Sequence, residues 1–327
     1  MQGLADSHGR RFRYLRLSVT DACNFRCVYC LPNGYRKPAG AQAPLGVSEI
    51  RNLVSGFAAM GFWKVRLTGG EPTLRRDIVE IAHEISSIPG IRKVALTTNG
   101  YRLAQLAGPL RAAGVNALNV SIDSLNAERF RKITGQNRLH DVLKGIDAAF
   151  SSGFSAIKVN AVLMKGHNDL DLDSYLEWIR RAPISVRFIE LMRTGDNRKL
   201  FEGRHLSAGT IQLKLLASGW SMRHRSEGDG PAVEFEHPEY VGRIGLIAPY
   251  SRDFCRSCNR LRVSSQGDLR LCLFGEEGHP LRHLLRFEHQ RDELIAAVRE
   301  LIGEKAAAHY LHDGKYGNTQ DFAAIGG

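Results

Sequence analysis

Cys23, Cys27 and Cys30 stand in one short run, CNFRCVYC, directly after a strand-like stretch. Three thiolates so close can converge on one inorganic centre, and a chain that carries such a centre must fold around it. A structural zinc site takes four ligands in a closed tetrahedron. This run offers three and contains no histidine. A cuboidal iron–sulfur cluster held by three cysteines keeps one iron open to a small molecule, whereas fully ligated clusters take four. The open corner points to chemistry. A zinc knuckle whose fourth ligand lies elsewhere stays as the plainer alternative.

The six cysteines fall into two trios, 23/27/30 and 255/258/272, with none left over. The second trio pairs a cysteine turn, Cys255-x2-Cys258, with a hairpin that returns Cys272. A zinc ribbon is the alternative there, and it too needs a fourth ligand. The nearest histidines beyond it, His279 and His283, are four residues apart in a helical pattern. A secreted disulfide scaffold would be shorter and richer in cysteine. A reducing, cytoplasmic location is the expectation.

The chain has 327 residues, enough for one barrel and a smaller unit. No stretch approaches 18 consecutive apolar residues, and the first residues lack an apolar signal core, so neither a membrane span nor a secretory signal is expected. The net charge of +11 suits an anionic ligand and would also suit nucleic acid. No Lys/Arg run of five or more occurs, which argues against a nucleic-acid partner.

Strand-like runs rich in valine, leucine and isoleucine lie at 14–19, 63–68, 93–98, 117–122, 156–164 and 184–190. Helical patterns separate them. In the first, Val47, Ile50, Val54 and Phe57 recur at three- and four-residue steps, with Ser48 read as the N-cap. Others lie near 75–88, 103–113, 139–152 and 170–181. Repeated strand–helix units predict a parallel sheet with helices outside. Six are too few to close an eight-fold barrel, so the expected fold is α/β, a partial (β/α)6 TIM-like barrel over residues 1–206. After it, 194–203 is polar and irregular, 207–220 reads as a helix and 226–231 as a flexible turn. Hairpin-like runs at 232–236, 242–248, 260–265 and 268–273 and basic helical segments near 279–287 and 290–302 predict a C-terminal α+β extension over 207–327.

Polar motifs gather where the strands end, the rim that carries the active site in barrels of this kind. Asp21 and the cysteine run follow the first strand, Gly69-Gly70-Glu71-Pro72 the second, and Thr97 to Gly100 close the third. Ser121 and Asp123 end the fourth, Lys158 and Asn160 lie in the fifth, and Glu190 and Met192 end the sixth. The two glycines let a ligand approach bare backbone, although an ordinary turn ended by Pro72 would read the same. Met192 alone would be core filler. Arg260 and Arg262 share one face of the strand after Cys258, as paired guanidinium forks suited to a polyphosphate. Arg16, Lys64, Arg66 and Lys158 put charge on core strands, where it needs a partner. Salt bridging could supply one for each, but four in one barrel argue for a shared anion. Neither G-x4-G-K-[ST] nor G-x-G-x2-G occurs, so side chains must hold any nucleotide's phosphates.

The first cysteine run, with Tyr29 before its last cysteine, resembles the signature of the radical S-adenosylmethionine superfamily, and Gly69-Gly70-Glu71-Pro72 resembles its second signature. Both trios, Arg260-x-Arg262 and the terminal Gly326-Gly327 together resemble the GTP 3′,8-cyclase family, also called molybdenum cofactor biosynthesis protein A, over about residues 14–327. That resemblance implies two 4Fe-4S clusters, on Cys23, Cys27 and Cys30 and on Cys255, Cys258 and Cys272. It implies S-adenosylmethionine contacts at Tyr29, Gly70, Ser121 and Met192, and GTP contacts at Arg16, Arg66, Thr97, Lys158, Arg260 and Arg262. Catalytic roles fall to Arg260, Arg262 and the Gly326-Gly327 tail, which would enter the site. The implied reaction abstracts hydrogen from carbon 3′ of the ribose and joins that carbon to carbon 8 of guanine, giving 3′,8-cyclo-7,8-dihydro-GTP. A cyclic pyranopterin monophosphate synthase would act next, and flavodoxin or ferredoxin would supply electrons. The oligomeric state stays open, a homodimer included. Phe322 departs from the methionine many members carry there. Two other readings remain: a radical peptide-modifying enzyme with an auxiliary cluster, and a zinc-bearing nucleic-acid-binding protein. The former usually carries more C-terminal cysteines than three.

Overall fold

The first strand alternates two faces. In β1 (Tyr14–Ser18), Leu15 and Leu17 are fully buried, while Tyr14 and Arg16 point the other way. The leucines meet the apolar stripe of α1 (Val47–Ala59), in which Ile50, Leu53, Val54 and Phe57 are buried. Each such side chain contributes about 1.5–3 kcal/mol on leaving water. The structure, a computed structural model, describes residues 3–37, 39–224, 230–275, 278–317, 322, 323 and 325.

The unit repeats through β2 (Lys64–Thr68), α2 (Ile78–Ser86), β3 (Lys93–Thr98), α3 (Leu103–Ala112) and β4 (Val115–Ser121). It continues with α4 (Ala127–Thr134), α5 (Leu139–Ser151), β5 (Ile157–Leu163), α6 (Leu172–Arg181) and β6 (Ile184–Glu190). Then come α7 (Arg198–Arg204), α8 (Gly209–Ala217), β7 (Ser221–Met222), β8 (Val233–Glu236), β9 (Arg243–Ile247), β10 (Arg260–Val263), β11 (Asp268–Arg270), β12 (His279–Pro280) and α9 (Arg291–Leu301). β1 to β6 pair in parallel in chain order, as the alternating pattern predicts.

The later strands join the same sheet. β10 pairs in parallel with β1, and β9 in parallel with β6. The order is β12-β11-β10-β1-β2-β3-β4-β5-β6-β9-β8-β7, and the sheet runs through both sides of residue 206. Eight parallel strands therefore form its centre, with an antiparallel pair at each end. Helix α9 returns to α1, where a Cβ on Gly56 would stand 2.6 Å from Leu294.

Three local expectations are corrected, and one helix is added. The N-cap of α1 is Gly46, whose N–H donates to the Glu49 carboxylate at 2.8 Å, and Ser48 lies inside the first turn. The polar stretch after β6 contains α7. Residues 279–287 hold the two-residue strand β12 and a 3₁₀ turn rather than a helix, because Leu269 of β11 pairs with His279 across the sheet edge. Helix α4 was not anticipated, although Asn126 caps it through Glu128 and Arg129 N–H and Gly135 ends it at φ +69°. Most of the 226–231 turn lies outside the described residues.

Candidate active site

The loop that carries the first trio leaves β1 and is clamped from two sides. Gly70 N–H donates to Thr20 O and Glu71 N–H to Ala22 O, both at 2.8 Å. The glycines serve this loop: a Cβ on Gly69 would lie 2.2 Å from Thr20 O, and one on Gly70 2.3 Å from Ala22 O. On the other side Arg26 N–H donates to Thr134 O and Val28 N–H to Ile133 O, both at 2.9 Å, so the end of α4 is the loop's floor.

Glu71 fixes the junction. Its Oε1 accepts from Thr73 N–H (3.0 Å), the Thr73 hydroxyl (2.6 Å) and the Thr98 hydroxyl (2.7 Å), and its Oε2 from Asn99 N–H (2.6 Å). Asn99 in turn donates to Asn24 Oδ1 at 2.8 Å, inside the cysteine run. This carboxylate is spoken for by the protein and braces the loop.

Cys23, Cys27 and Cys30 line one cavity together with Tyr29, Gly70, Ser121, Asp123 and Met192. The Tyr29 hydroxyl donates to Asp123 Oδ2 at 2.9 Å, and Val162 N–H donates to Asp123 Oδ1 at 2.8 Å. None of the six cysteines is in a disulfide, and all are half-buried. Burial, aided by Asp123 and the other two thiols, pushes Cys27 well above its ordinary range, so a cation among them is what would hold the trio as thiolates. The three thiols share one cavity, a soft donor set that suits an iron–sulfur cluster.

The neighbouring cavity is cationic. Arg16, Lys64, Arg66, Lys158, Arg260 and Arg262 line it, joined by Arg187 and Lys305, and no carboxylate lines it among the described residues. Register explains the clustering. Arg262, Arg16 and Arg66 form one row across β10, β1 and β2, and Arg260, Tyr14 and Lys64 form the next. Burial lowers Arg16 to about 10, Lys64 to about 8 and Lys158 to about 7, with neighbouring cations adding to each. Tyr14 feels the opposite field: burial would raise it, but Arg66, Arg16 and Lys64 hold it well below its usual range. Arg66 Nε donates to its hydroxyl at 2.5 Å and Arg66 Nη1 to Thr97 at 3.1 Å. So much buried positive charge calls for a polyanion.

The second trio lines this same cationic cavity. Burial would raise the Cys258 thiol, but Arg260 and Lys305 outweigh it and bring it to about 7. Thr97, Asn160, Ile189 and Met192 line both cavities, so the two meet. Arg262 Nη1 donates to Ile325 O at 3.3 Å, which holds Ile325 at the cationic wall. Gly326 and Gly327 lie outside the described residues.

Arg187 was not singled out from sequence. It sits among apolar β6 residues, 5% exposed, and pairs with Glu234 of β8 at 2.5 Å. A lone arginine in a strand pattern was the available signal, as for Arg16. Lys305 gave none, since it follows a helix and enters the cavity only through the long-range fold.

Residues 17–179 match the Radical SAM superfamily model and residues 184–311 the Molybdenum Cofactor Synthesis C model. The solved structure of Streptococcus suis SuiB bound to S-adenosylmethionine superposes with a TM-score of 0.57 over 89% of this chain and 69% of that one; at 14% identity the likeness is one of fold. Fold and site define a radical S-adenosylmethionine enzyme. Relatives named GTP 3′,8-cyclase cover all of this chain: one from Aeromonas hydrophila is 55% identical over 97% of its own length, one from Vibrio cholerae 54% over 98%, and one from Yersinia pestis 52% over 100%. The chain belongs to the GTP 3′,8-cyclase family. No helix among the described residues is long and apolar enough to cross a membrane.

Proposed function

We propose that this chain converts GTP to 3′,8-cyclo-7,8-dihydro-GTP, the first step of molybdenum cofactor biosynthesis. The observation that carries the reading is the meeting of a cysteine-lined cavity with a cationic one at Thr97, Asn160, Ile189 and Met192. Cys23, Cys27 and Cys30 would hold one 4Fe-4S cluster and Cys255, Cys258 and Cys272 a second. With S-adenosylmethionine bound, the first would supply the radical chemistry needed to take an unactivated hydrogen.

The chain's own residues do the rest. Tyr29, Gly70, Ser121 and Met192 hold S-adenosylmethionine, and Asp123 orients the Tyr29 ring through its hydroxyl. Arg16, Arg66, Lys158, Arg260 and Arg262 bind the triphosphate, with Thr97 fixed by Arg66. Holding the nucleotide against the junction converts a two-body encounter into a positioned one. Arg262 holds Ile325 at the cationic wall, and the Gly326-Gly327 tail that follows would enter the site, where water must be kept out. Residues 1–206 and 207–327 are proposed as the two units. Flavodoxin or ferredoxin as electron donor, a cyclic pyranopterin monophosphate synthase downstream, a cytoplasmic location and a homodimer complete the reading.

The test is anaerobic reconstitution followed by incubation with GTP, S-adenosylmethionine and reductant. The expected outcome is about eight irons per chain and a product with the ribose–guanine bond closed. Iron for one cluster only, or S-adenosylmethionine cleavage that leaves GTP unchanged, overturns it.

A further inference from the structure

At the junction of the two cavities the reacting sugar must meet the adenosyl group, so the residues that line both are the ones that can touch it. Of these four, Ile189 and Met192 are apolar, and the Thr97 hydroxyl already receives Arg66 at 3.1 Å. The fourth is Asn160. Its carboxamide oxygen is buried with no hydrogen-bond partner among the described residues. Several other carboxamides are engaged: Asn99 donates to Asn24, Asn168 to two carbonyls, and Asn197 bridges Thr194 and Met192. Asn119 Oδ1 is also buried without a partner among the described residues, but Asn119 lines the cationic cavity and not the cysteine-lined one, so Asn160 is the carboxamide that reaches the junction. A buried amide left alone is disfavoured unless a ligand completes it.

Its position is set by register. Asn160 follows Lys158 by two residues on the cavity face of β5, and it lies beside Ser121 on one neighbour and Arg187 on the other. Lys158 and Arg187 belong to the cationic cavity, and Ser121 to the cysteine-lined one. Asn160 is thus the step between phosphate-binding cations and the adenosyl site. A carboxamide is neutral and offers both a donor and an acceptor, which matches a hydroxyl rather than a phosphate.

We propose that Asn160 holds a ribose hydroxyl of the substrate and selects ribonucleotide over deoxyribonucleotide. This inference rests on the GTP reading above. A site completed by a substrate hydroxyl rejects the analogue that lacks it, because the buried amide is then left unmet.

The experiment is anaerobic binding of GTP, 2′-deoxy-GTP, 3′-deoxy-GTP and inorganic tripolyphosphate to reconstituted wild type and Asn160→Ala. Wild type should bind GTP about three- to tenfold tighter than one of the deoxy analogues. Asn160→Ala should bind GTP and that analogue alike, with tripolyphosphate and S-adenosylmethionine affinities unchanged. Asn160→Ser, a milder change, should give an intermediate ratio and serves if the alanine protein does not fold. An unchanged ratio in the variants, no discrimination in wild type, or a loss confined to S-adenosylmethionine binding overturns the proposal. Wild type that binds no GTP at all instead overturns the activity reading.

Discussion

Arg10 and Asp6 form a buried ion pair at 2.6 Å, with side chains only 5% and 0% exposed. The guanidinium does more than neutralise its partner. It donates to Ala307 O at 2.8 Å and Ala306 O at 2.7 Å, and reaches Cys255 O at 3.5 Å. Arg10 thereby grips the segment that begins at Lys305, whose ammonium bonds Leu271 O beside Cys272. Arg10→Met removes the cation from the buried Asp6 carboxylate and leaves it the backbone N–H groups of His8 and residue 10, which costs up to about 3–5 kcal/mol. Urea unfolding of the apoprotein should show that loss. Reconstituted variant should carry about four irons instead of about eight, with S-adenosylmethionine cleavage retained. A full iron complement would mean that the clasp does not support the second trio.

Lys158 and Lys64, lowered to about 7 and about 8, bind protons more weakly folded than unfolded. The unfolded chain therefore holds more protons between about pH 7 and 10, and apoprotein stability should rise with pH across that window. Triphosphate reverses the field and favours the charged lysines. GTP affinity should fall at least about tenfold from pH 7 to pH 9, with proton uptake on binding at pH 8. Calorimetry in buffers of different ionisation enthalpy reads both. Lys158→Arg should flatten the profile; a flat wild-type profile would remove the lysines from the phosphate site.

The strands of the central sheet were legible because valine, leucine and isoleucine runs are local signals, and the cysteine spacings are local too. What escaped was set by distance. Nothing near Arg243 or Arg260 says that β9 and β10 will lie parallel to β6 and β1. Lys305 enters the cavity by the same long-range route. Helix α4 had readable signals in Asn126 and Gly135, but its mean polarity masked them. The role of Gly69 and Gly70 was half read: their bare backbone does accommodate a close neighbour, and that neighbour is the Thr20–Ala22 backbone. Glu71 was equally opaque, since its four donors come from Thr73, Thr98 and Asn99 across a strand crossover.

Gly70→Ala tests the first half of that clamp. The new methyl would meet Ala22 O at 2.3 Å and Asp21 O at 2.5 Å, both backbone atoms that cannot swing aside. The loop before Cys23 must shift, so iron bound by the first trio and S-adenosylmethionine cleavage should both be lost. The second trio, 185 residues or more away in sequence and on the β10 side, should keep its about four irons. Iron analysis with electron spin resonance distinguishes the two. Retained cleavage would show that the loop tolerates the shift.

Glu71→Gln tests the second half. All four partners of this side chain are donors, so the ionised carboxylate is the form that fits, although burial raises its pKa. A glutamine amide turns two acceptor sites into donors and points them at N–H or O–H groups whichever way it rotates. The unmet pairs should cost about 1–3 kcal/mol in the apoprotein. Because Asn99 links Glu71 to Asn24, the loss should travel to the cysteine loop and weaken S-adenosylmethionine binding severalfold. GTP binding through the β10–β1–β2 cations should hold. Equal weakening of both ligands would mean that Glu71 supports the whole rim rather than the loop alone.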